Sequence, residues 1–252
     1  MHKKIALITG GSRGLGRSGA LALASRGVDV IFTYRSQKGE AEQVVAEIEK
    51  RSGKAVALHL DVGDSSSFAA FAQQVKQALK DTWGRENFDY LVNNAGVGGH
   101  APFAETTEAQ FDELMRVHLK GPFFLTQALL PSIAQGGKIL NITTGLTRFT
   151  MPGYSAYATM KGAMETLTKY QAKELGARGI SVNALAPGAI ETDFGGGAVR
   201  DNPQLNAFIA SQTALGRVGK PDDIGNLIAA ILSDDATWMN AQRIEASGGM
   251  FA

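Results

Sequence analysis

The chain has 252 residues, 44% apolar and 19% charged, with 30 glycines, a composition typical of a compact folded protein with many tight turns. Basic and acidic residues number 25 and 24, so the net charge of +1 gives no electrostatic reason to expect nucleic acid or an anionic membrane as a partner. The absence of cysteine excludes disulfides, thiolate catalysis and thiolate metal sites. No apolar run reaches the ~18 residues of a membrane span, and we expect a cytoplasmic protein without a signal peptide.

Strand-length apolar runs alternate with helical segments along the chain. The runs are apolar along their length and do not alternate with polar residues, which is typical of parallel strands buried on both faces. The predicted strands are residues 5–9, 29–34, 55–60, 88–92, 138–143, 180–186 and 243–245. The predicted helices are residues 15–26, 39–51, 65–79, 108–133, 154–175 and 221–232. This alternation predicts an α/β fold over 1–252: a single-domain, doubly wound (Rossmann) parallel sheet of seven strands with helices on both faces.

Two stretches interrupt the pattern. Gly121 and Pro122 lie inside the segment 108–133 and should bend or break that helix. Residues 189–217 show no clear period and contain Gly195-Gly196-Gly197. We interpret this second stretch as a mobile substrate flap with short helical pieces.

A glycine-rich loop joins the first strand to the first helix. Glycines there permit a tight turn and a close approach of the backbone, and the helix N-terminus offers unpaired N–H groups to a pyrophosphate. A glycine turn with only a structural purpose is the alternative, but the strand before it and the helix after it favour dinucleotide binding. The candidate cofactor contacts in this loop are Gly10, Ser12, Arg13, Gly14, Leu15 and Gly16.

The end of the second strand bears on which dinucleotide binds. An NAD site places a carboxylate there for the ribose 2′-hydroxyl, but this chain has Arg35 and Ser36 and no carboxylate. Arg35 and Arg13 offer two guanidinium groups, which suit a 2′-phosphate. The arginines would have no such role if both were simply solvated. We predict NADP(H) as the preferred cofactor, with NAD(H) possible.

Tyr157 and Lys161 stand at i and i+4 of a predicted helix, about 6 Å apart along its axis. The pKa of a tyrosine is near 10, and a neighbouring cation favours the phenolate. Such a pair can exchange a proton with a carbonyl or alcohol oxygen, which the Thr144 hydroxyl could also hold. Taken alone, the pattern equally describes a surface tyrosine and a solvated lysine.

Five motifs in the right order and spacing make the chain resemble the short-chain dehydrogenase/reductase family from end to end. They are the glycine motif at 9–16, Asp61-Val62, Asn93-Asn94-Ala95-Gly96, Tyr157-x-x-x-Lys161 and Pro187-Gly188. The chain looks most similar to the NADPH-linked ketoreductases, including the 3-oxoacyl-carrier-protein reductases.

This resemblance implies roles for individual residues. Tyr157 would be the catalytic acid/base, and Lys161 would lower its pKa and hold the nicotinamide ribose. The remaining implied cofactor contacts are Asp61 and Val62 beside the adenine, Asn93, Ala95 and Gly96 along the cofactor, and Pro187, Gly188, Ile190 and Thr192 over the nicotinamide.

The chain departs from the family pattern at two positions. Thr144 replaces the usual serine, which keeps the hydroxyl and adds a methyl that should narrow the pocket. His118 replaces an asparagine thought to hold a water in a proton relay behind the lysine. A neutral histidine can donate and accept a hydrogen bond, so a relay with a changed pH dependence is one reading. A histidine that only packs its helix is the other.

The leading hypothesis is an NADPH-dependent carbonyl reductase acting on a ketone or 3-oxoacyl substrate, with Tyr157 as proton donor. An NAD-dependent alcohol or sugar dehydrogenase is the first alternative. A non-catalytic dinucleotide-binding sensor is the second, which the set of Thr144, Tyr157 and Lys161 argues against. The histidines show no metal-ligand spacing, so we expect no metal.

Substrate and assembly follow less directly from the sequence. The pocket walls should come from residues 98–102, 146–154 and the flap around Phe194, which suits an apolar, small or medium ketone. Arg148 could meet an acidic group or face solvent. The segment 108–133 has apolar residues on much of its circumference, and the helix 154–175 has small residues that permit close approach. By family resemblance we expect a homotetramer that pairs these two segments.

Overall fold

The computed structural model describes residues 3–252, so Met1 and His2 lie outside the described part of the chain. One sheet of seven parallel strands has the order β3-β2-β1-β4-β5-β6-β7. Its strands are β1 (Ile5–Ile8), β2 (Asp29–Tyr34), β3 (Ala55–His59), β4 (Phe88–Asn93), β5 (Ile133–Ile142), β6 (Ser181–Pro187) and β7 (Arg243–Ala246). The strand order reverses between β1 and β4, and ligands of such sheets bind beyond the carboxyl ends of the strands at that point.

Helices cover both faces of the sheet. They are α1 (Gly14–Ser25), α2 (Lys38–Glu49), α3 (Phe68–Trp83), α4 (Glu108–Met115), α5 (Gly121–Leu129), α6 (Ser155–Leu175), α7 (Ala198–Asp201), α8 (Pro203–Ser211) and α9 (Pro221–Leu232). One apolar cluster joins α1, α2 and α9 to the sheet, and a second joins α3, α5 and α6 to its other face. The predicted doubly wound fold is therefore confirmed. None of the helices in residues 3–252 combines the length and the apolar character needed to cross a membrane.

The segment 108–133 is interrupted, as Gly121 and Pro122 in the sequence predicted. Helix α4 passes into a π-helical turn, Arg116–Lys120, before α5 begins at Gly121. A side chain at Gly121 would collide with the carbonyl oxygen of Val62, so only glycine fits where α5 meets that loop. Pro122 follows directly after this π-helical turn and has no N–H to donate to the carbonyl groups of the preceding turn, which fits an interruption of regular α-helical bonding at this point. Ile133 was predicted as the end of the helical segment, which is wrong, since it begins β5 and pairs with Phe88.

The flap has the short helical pieces expected of it. A 3₁₀ turn, Phe194–Gly197, leads into α7 and α8, and the glycines of that turn have φ values of 62°, 74° and 79°. Ile190 pairs with Gly219 as an isolated parallel bridge, which holds the start of the flap beside its end.

The predicted helix 65–79 begins and ends a few residues later in the structure. A 3₁₀ turn at Ser65–Ser67 precedes α3, which runs from Phe68 to Trp83.

Candidate active site

The glycine loop after β1 has almost no room for side chains. Gly10 has a φ of 69°, and a Cβ there would lie 3.0 Å from the Cα of Ala95. A Cβ at Gly16 would collide with the carbonyl oxygen of Gly10 and lie 2.6 Å from the Nδ2 atom of Asn94. These contacts hold the loop close against the end of β4, which leaves the first turn of α1 facing the carboxyl edge of the sheet.

Two residues outside the predicted contacts fix this loop. The Thr9 hydroxyl accepts hydrogen bonds from the backbone N–H groups of Asn94 and Ala95, both at 3.0 Å. The Asn94 side-chain amide donates to the carbonyl oxygens of Thr9 (2.8 Å) and Gly10 (3.1 Å). The second asparagine of Asn93-Asn94-Ala95-Gly96 was the signal for this role, because a polar side chain directly after a strand can bond a neighbouring loop.

The N-terminus of α1 is suited to phosphate. Its N-cap, Arg13, makes no side-chain hydrogen bond to the first turn, so those N–H groups have no side-chain partner there. Arg13, Arg35 and Ser36 are all exposed, and within residues 3–252 neither arginine pairs with a carboxylate, whereas the nearby Arg17 pairs with Glu47. The two guanidinium groups are thus available to an anionic ligand.

The loops that follow the other strands approach the same edge. A Cβ at Gly14 would lie 3.8 Å from Thr192, so the loop after β6 meets the glycine loop. Val62 is buried and Asp61 accepts a hydrogen bond from Gly63 at 2.8 Å. The structure places the remaining predicted contacts on these loops as well: Ser12 and Leu15 around the start of α1, Pro187 at the end of β6, and Gly188 and Ile190 just after it.

The side chain of Asn93, a residue predicted to line the cofactor, lies in a buried hydrogen-bond network at the end of β4. Its amide nitrogen donates to Asn141 (2.8 Å) and to the Thr126 hydroxyl (3.0 Å), inside the face covered by α5. Asn141 continues this buried network to Thr168 at 2.9 Å. The amide nitrogen of Asn93 is thus bonded to β5 and α5, while its Oδ1 atom is buried without a partner in the described residues.

Three of the predicted catalytic side chains converge at the end of β5. Tyr157 and Lys161 lie in the first turns of α6 and are 8% and 5% exposed, and Thr144 is equally buried. The Lys161 ammonium lies 5.8 Å from the centre of the Tyr157 ring and donates to the carbonyl oxygen of Ile142 at 2.7 Å. That hydrogen bond joins α6 to β5, so the helix and the strand hold the three groups together.

Burial sets the protonation of this cluster. It raises the pKa of Tyr157, while the neighbouring Thr144 hydroxyl opposes the shift by hydrogen bonding. A role of Lys161 in lowering that pKa stays a prediction from the resemblance. Burial lowers the pKa of Lys161 to about 8. At neutral pH the tyrosine therefore carries its proton and the lysine is mostly charged.

His118 lies in the π-helical turn behind the catalytic pair and is 1% exposed. Its Nε2 atom is 2.8 Å from the carbonyl oxygen of Val97, so we assign the ring proton to Nε2. The Nδ1 atom is buried without a partner in the described residues, and the ring meets Tyr157 edge-on at 5.1 Å. Burial, followed by the charge of Lys161, lowers the pKa of His118 to about 3, which keeps it neutral in the working range.

An arginine that the sequence did not single out connects β7 to the catalytic elements. Arg243 donates to Glu165 of α6 (2.7 Å), to the carbonyl oxygen of Thr144 (3.2 Å) and to the Thr147 hydroxyl (3.0 Å). The Thr147 hydroxyl itself donates to Glu165 at 2.6 Å. The guanidinium thus joins the helix that carries Tyr157 to the loop that carries Thr144.

Arg148 is already paired. It donates to both carboxylate oxygens of Glu245, at 2.7 and 2.6 Å, and to the carbonyl oxygens of Met250 and Phe251. These bonds hold the C-terminal residues against the loop after β5. Among the described residues no cluster of histidine, aspartate and glutamate has a metal-binding arrangement.

Comparison with known proteins places this geometry in a family. A family model described as Enoyl-(Acyl carrier protein) reductase matches residues 10–251. The chain is 36% identical over 250 residues to the 3-oxoacyl-(acyl-carrier-protein) reductase FabG of Staphylococcus aureus, with 98% of each chain covered. It is 34% identical to the tetrahydroxynaphthalene reductase PfmaG of Pestalotiopsis fici, covering 98% of this chain and 91% of that one.

Solved structures agree. The angucycline C-6 ketoreductase LanV with bound NADP superimposes with a TM-score of 0.93 at 35% identity, covering 98% of this chain and 95% of the other. Fold, motif order and sequence identity over nearly the whole length all lead to one assignment. The chain belongs to the short-chain dehydrogenase/reductase family of oxidoreductases.

Proposed function

We propose that this protein reduces a ketone with NADPH and that Tyr157 donates the proton to the carbonyl oxygen. The observation that carries the proposal is the convergence of Thr144, Tyr157 and Lys161 at the carboxyl edge of the sheet, beside a loop suited to phosphate. The relatives support the cofactor and the reaction class, because the angucycline ketoreductase was solved with NADP.

The residues present fit a dinucleotide with an additional phosphate. The collision of any side chain at Gly16 with Gly10 leaves a cradle lined by backbone, and the uncapped start of α1 suits a pyrophosphate. Arg13 and Arg35 would hold the 2′-phosphate, since guanidinium groups match phosphate oxygens in charge and geometry. Lys161 and the backbone after β4 would hold the nicotinamide end.

The catalytic side chains have separate tasks. NADPH, when bound, supplies the hydride for the carbonyl carbon. Thr144 and Tyr157 hold the carbonyl oxygen by their hydroxyl groups, and Tyr157 passes its proton to that oxygen as negative charge develops. The Lys161 ammonium, 5.8 Å from the ring centre, stabilises the phenolate that remains.

The protonated form of Tyr157 is the one from which ketone reduction starts. Reduction needs a protonated tyrosine at the start, whereas alcohol oxidation needs a phenolate. Burial raises the pKa of Tyr157, so the protonated form dominates at neutral pH. The same group serves oxidation only when the pH is high or another charge lowers the pKa.

Exchange of Tyr157 for phenylalanine tests the proposal. Tyr157→Phe should lower kcat for NADPH-dependent ketone reduction by at least the ~10²-fold typical of general acid catalysis, while NADPH affinity is retained. Tyr170→Phe is the matched control, since Tyr170 lies on the same helix and is 63% exposed. Equal turnover in the two variants would remove Tyr157 from the mechanism. No ketone turnover in the wild type, with NADPH bound, would favour the sensor alternative.

We also expect the homotetramer and the cytoplasmic location that the sequence predicts. Phe111, Phe123, Phe124 and Tyr170 leave between 39% and 63% of their surface exposed on α4, α5 and α6. Aromatic side chains at such exposure are enriched where subunits meet. Light scattering at micromolar concentration should give four times the monomer mass, and a monomer would contradict the expectation.

A further inference from the structure

Phe194, the first residue of the flap turn, packs against the catalytic tyrosine. Its ring centre lies 5.9 Å from that of Tyr157, with 55° between the ring planes. Tyr157 is buried, yet 45% of Phe194 remains exposed. One part of the phenylalanine ring therefore contacts the proton donor while another part is open to a molecule that approaches it.

The backbone around Phe194 is built to hold that ring in place. Gly195 and Gly196 have φ values of 62° and 74°, and a Cβ on either would meet no atom within 4 Å. These glycines are required by backbone conformation and not by lack of space. Across from them, a Cβ at Gly98 would lie 2.8 Å from the Cα of Gly195 and 3.9 Å from the Phe194 ring. The flap thus rests directly on the loop after β4.

A second pair of rings flanks the same tyrosine. The rings of His100 and Tyr154 meet edge-on, with their centres 5.0 Å apart. Tyr154 belongs to the small apolar cluster around Tyr157, together with Leu146. Aromatic side chains from the flap and from the residue before α6 therefore pack near the catalytic tyrosine.

The cations of the surrounding segments are already neutralised. Residues 98–102, 146–154 and 189–217 contain three basic side chains, Arg148, Arg200 and Arg217. Each forms a close ion pair with a carboxylate: Arg148 with Glu245, Arg200 with Asp193 and Asp201, and Arg217 with Asp223. These segments offer no free cation for the phosphates of a thioester carrier or for an acidic carrier protein.

We propose that the substrate is a neutral, free aromatic ketone, and that Phe194 selects it by ring packing. The inference rests on the proposed function and names the substrate class of that same site. Aromatic rings attract one another beyond their buried area in tilted and offset geometries, which a saturated ring or an acyl chain cannot reproduce. An acyl thioester would gain neither ring packing nor charge pairing.

A comparison of 2-tetralone with 2-decalone, its saturated counterpart, isolates the effect of aromaticity. Wild-type kcat/KM with NADPH should be higher for 2-tetralone, and higher than for acetoacetyl-coenzyme A. Phe194→Leu should lower the tetralone-to-decalone ratio by roughly 3- to 10-fold, the range expected for one aromatic pair. Phe208→Leu is the matched control, because Phe208 lies on α8 of the same flap and is 50% exposed. It should leave the ratio unchanged.

A binding experiment separates this inference from the proposed function. Calorimetric titration of the enzyme with 2-naphthol and with 2-decalol, with and without NADPH, measures the same selectivity without turnover, because the reduced cofactor cannot oxidise an alcohol. Tighter binding of 2-naphthol, lost in Phe194→Leu, supports the inference even if no ketone is reduced. Equal binding of the two alcohols, an unchanged ratio in Phe194→Leu, or a preference for acetoacetyl-coenzyme A overturns it. Failure to reduce any ketone, with selective naphthol binding, contradicts only the proposed function.

Discussion

The cofactor side and the substrate side of the site are built from different parts of the chain. On the cofactor side, formed by the loops after β1, β2 and β3, the backbone dictates the shape, because side chains at Gly10 or Gly16 would meet neighbouring atoms. On the substrate side, formed by the loop after β5 and the flap, side chains dictate it: Phe194 packs on Tyr157, and Arg243 holds the Thr144 loop. Where backbone atoms set the shape of the site, as at Gly10 and Gly16, fewer residue types fit than where side chains set it.

The largest effect is expected from a methyl group on the cofactor side. Gly16→Ala should lower the free energy of unfolding by about 1–3 kcal/mol, the usual cost of overpacking, because its Cβ collides with the Gly10 carbonyl. It should also abolish the stabilisation that NADPH gives the wild type. Denaturant unfolding with and without NADPH measures both.

Gly39→Ala is the control for this prediction. A Cβ at Gly39, in the first turn of α2, meets nothing within 4 Å, so stability and NADPH protection should stay at wild-type values or rise slightly. If Gly16→Ala and Gly39→Ala behaved alike, the cofactor side would not be shaped by its backbone.

A smaller effect is expected from the charge network on the substrate side. Arg243→Ala removes the charged partner of Glu165 and one of the donors to the Thr144 carbonyl, so it should cost about 1.5 kcal/mol of stability, as hydrogen bonds to charged groups do. It should lower kcat more than it raises KM for NADPH, because it loosens Thr144 and not the glycine loop. Steady-state kinetics with varied NADPH separates the two constants.

Arg217→Ala provides the comparison for Arg243. Its pair with Asp223 is exposed on both sides, and such pairs contribute about 0–1 kcal/mol. An Arg243→Ala enzyme with normal kcat and normal stability would show that the network does not position the catalytic loop.

The sequence predicted the cofactor side better than the substrate side for this same reason. Glycines between a strand and a helix indicate a loop that needs close backbone approach, and Gly10 and Gly16 meet that need in the structure. Gly121 and Pro122 indicated an interruption of the helix after α4, but not that it takes the form of the π-helical turn Arg116–Lys120. Arg243 lies 99 residues from Thr144, and only the pairing of β7 with β6 brings them together.

Individual polar side chains were predicted least well. Asn93 stands in a motif that lines cofactors, yet its amide bonds Thr126 and Asn141 inside the protein. The sequence left open whether Arg148 meets an acidic group of the substrate or faces solvent. In the structure it binds Glu245 of β7. In both cases the partner comes from a distant part of the chain, so local pattern holds no information about it.

The smallest effect is expected from His118, which lies between the two sides. A proton relay through neutral His118 would make turnover fall on the acid side as the histidine gains a proton. With its pKa lowered to about 3, this acid limb should be missing between pH 5 and 7, and His118→Asn should give the same profile there. The reductase rate should instead fall above a pH of about 8, as Lys161 loses its proton.

Two further readouts test the place of His118. Unfolded histidine titrates near pH 6.5, so the folded wild type loses stability as the pH falls from 6.5 towards 3, where only the unfolded chain binds the proton. His118→Asn should not show that loss. If the unpartnered Nδ1 serves a relay, His118→Leu should lower kcat while His118→Asn keeps it, whereas equal rates in the two variants would leave His118 as a packing residue.

The most direct test of NADPH-dependent ketone reduction with Tyr157 as proton donor is to follow the transferred hydride. The enzyme is incubated with NADPH deuterated at C4 of the nicotinamide and with 2-tetralone, and the product is examined by deuterium NMR. The wild type should transfer deuterium to the carbinol carbon of the product. In Tyr157→Phe the rate of this transfer should be lower by at least ~10²-fold. A reduced product without deuterium at that carbon, or equal rates of transfer in the two proteins, would contradict it.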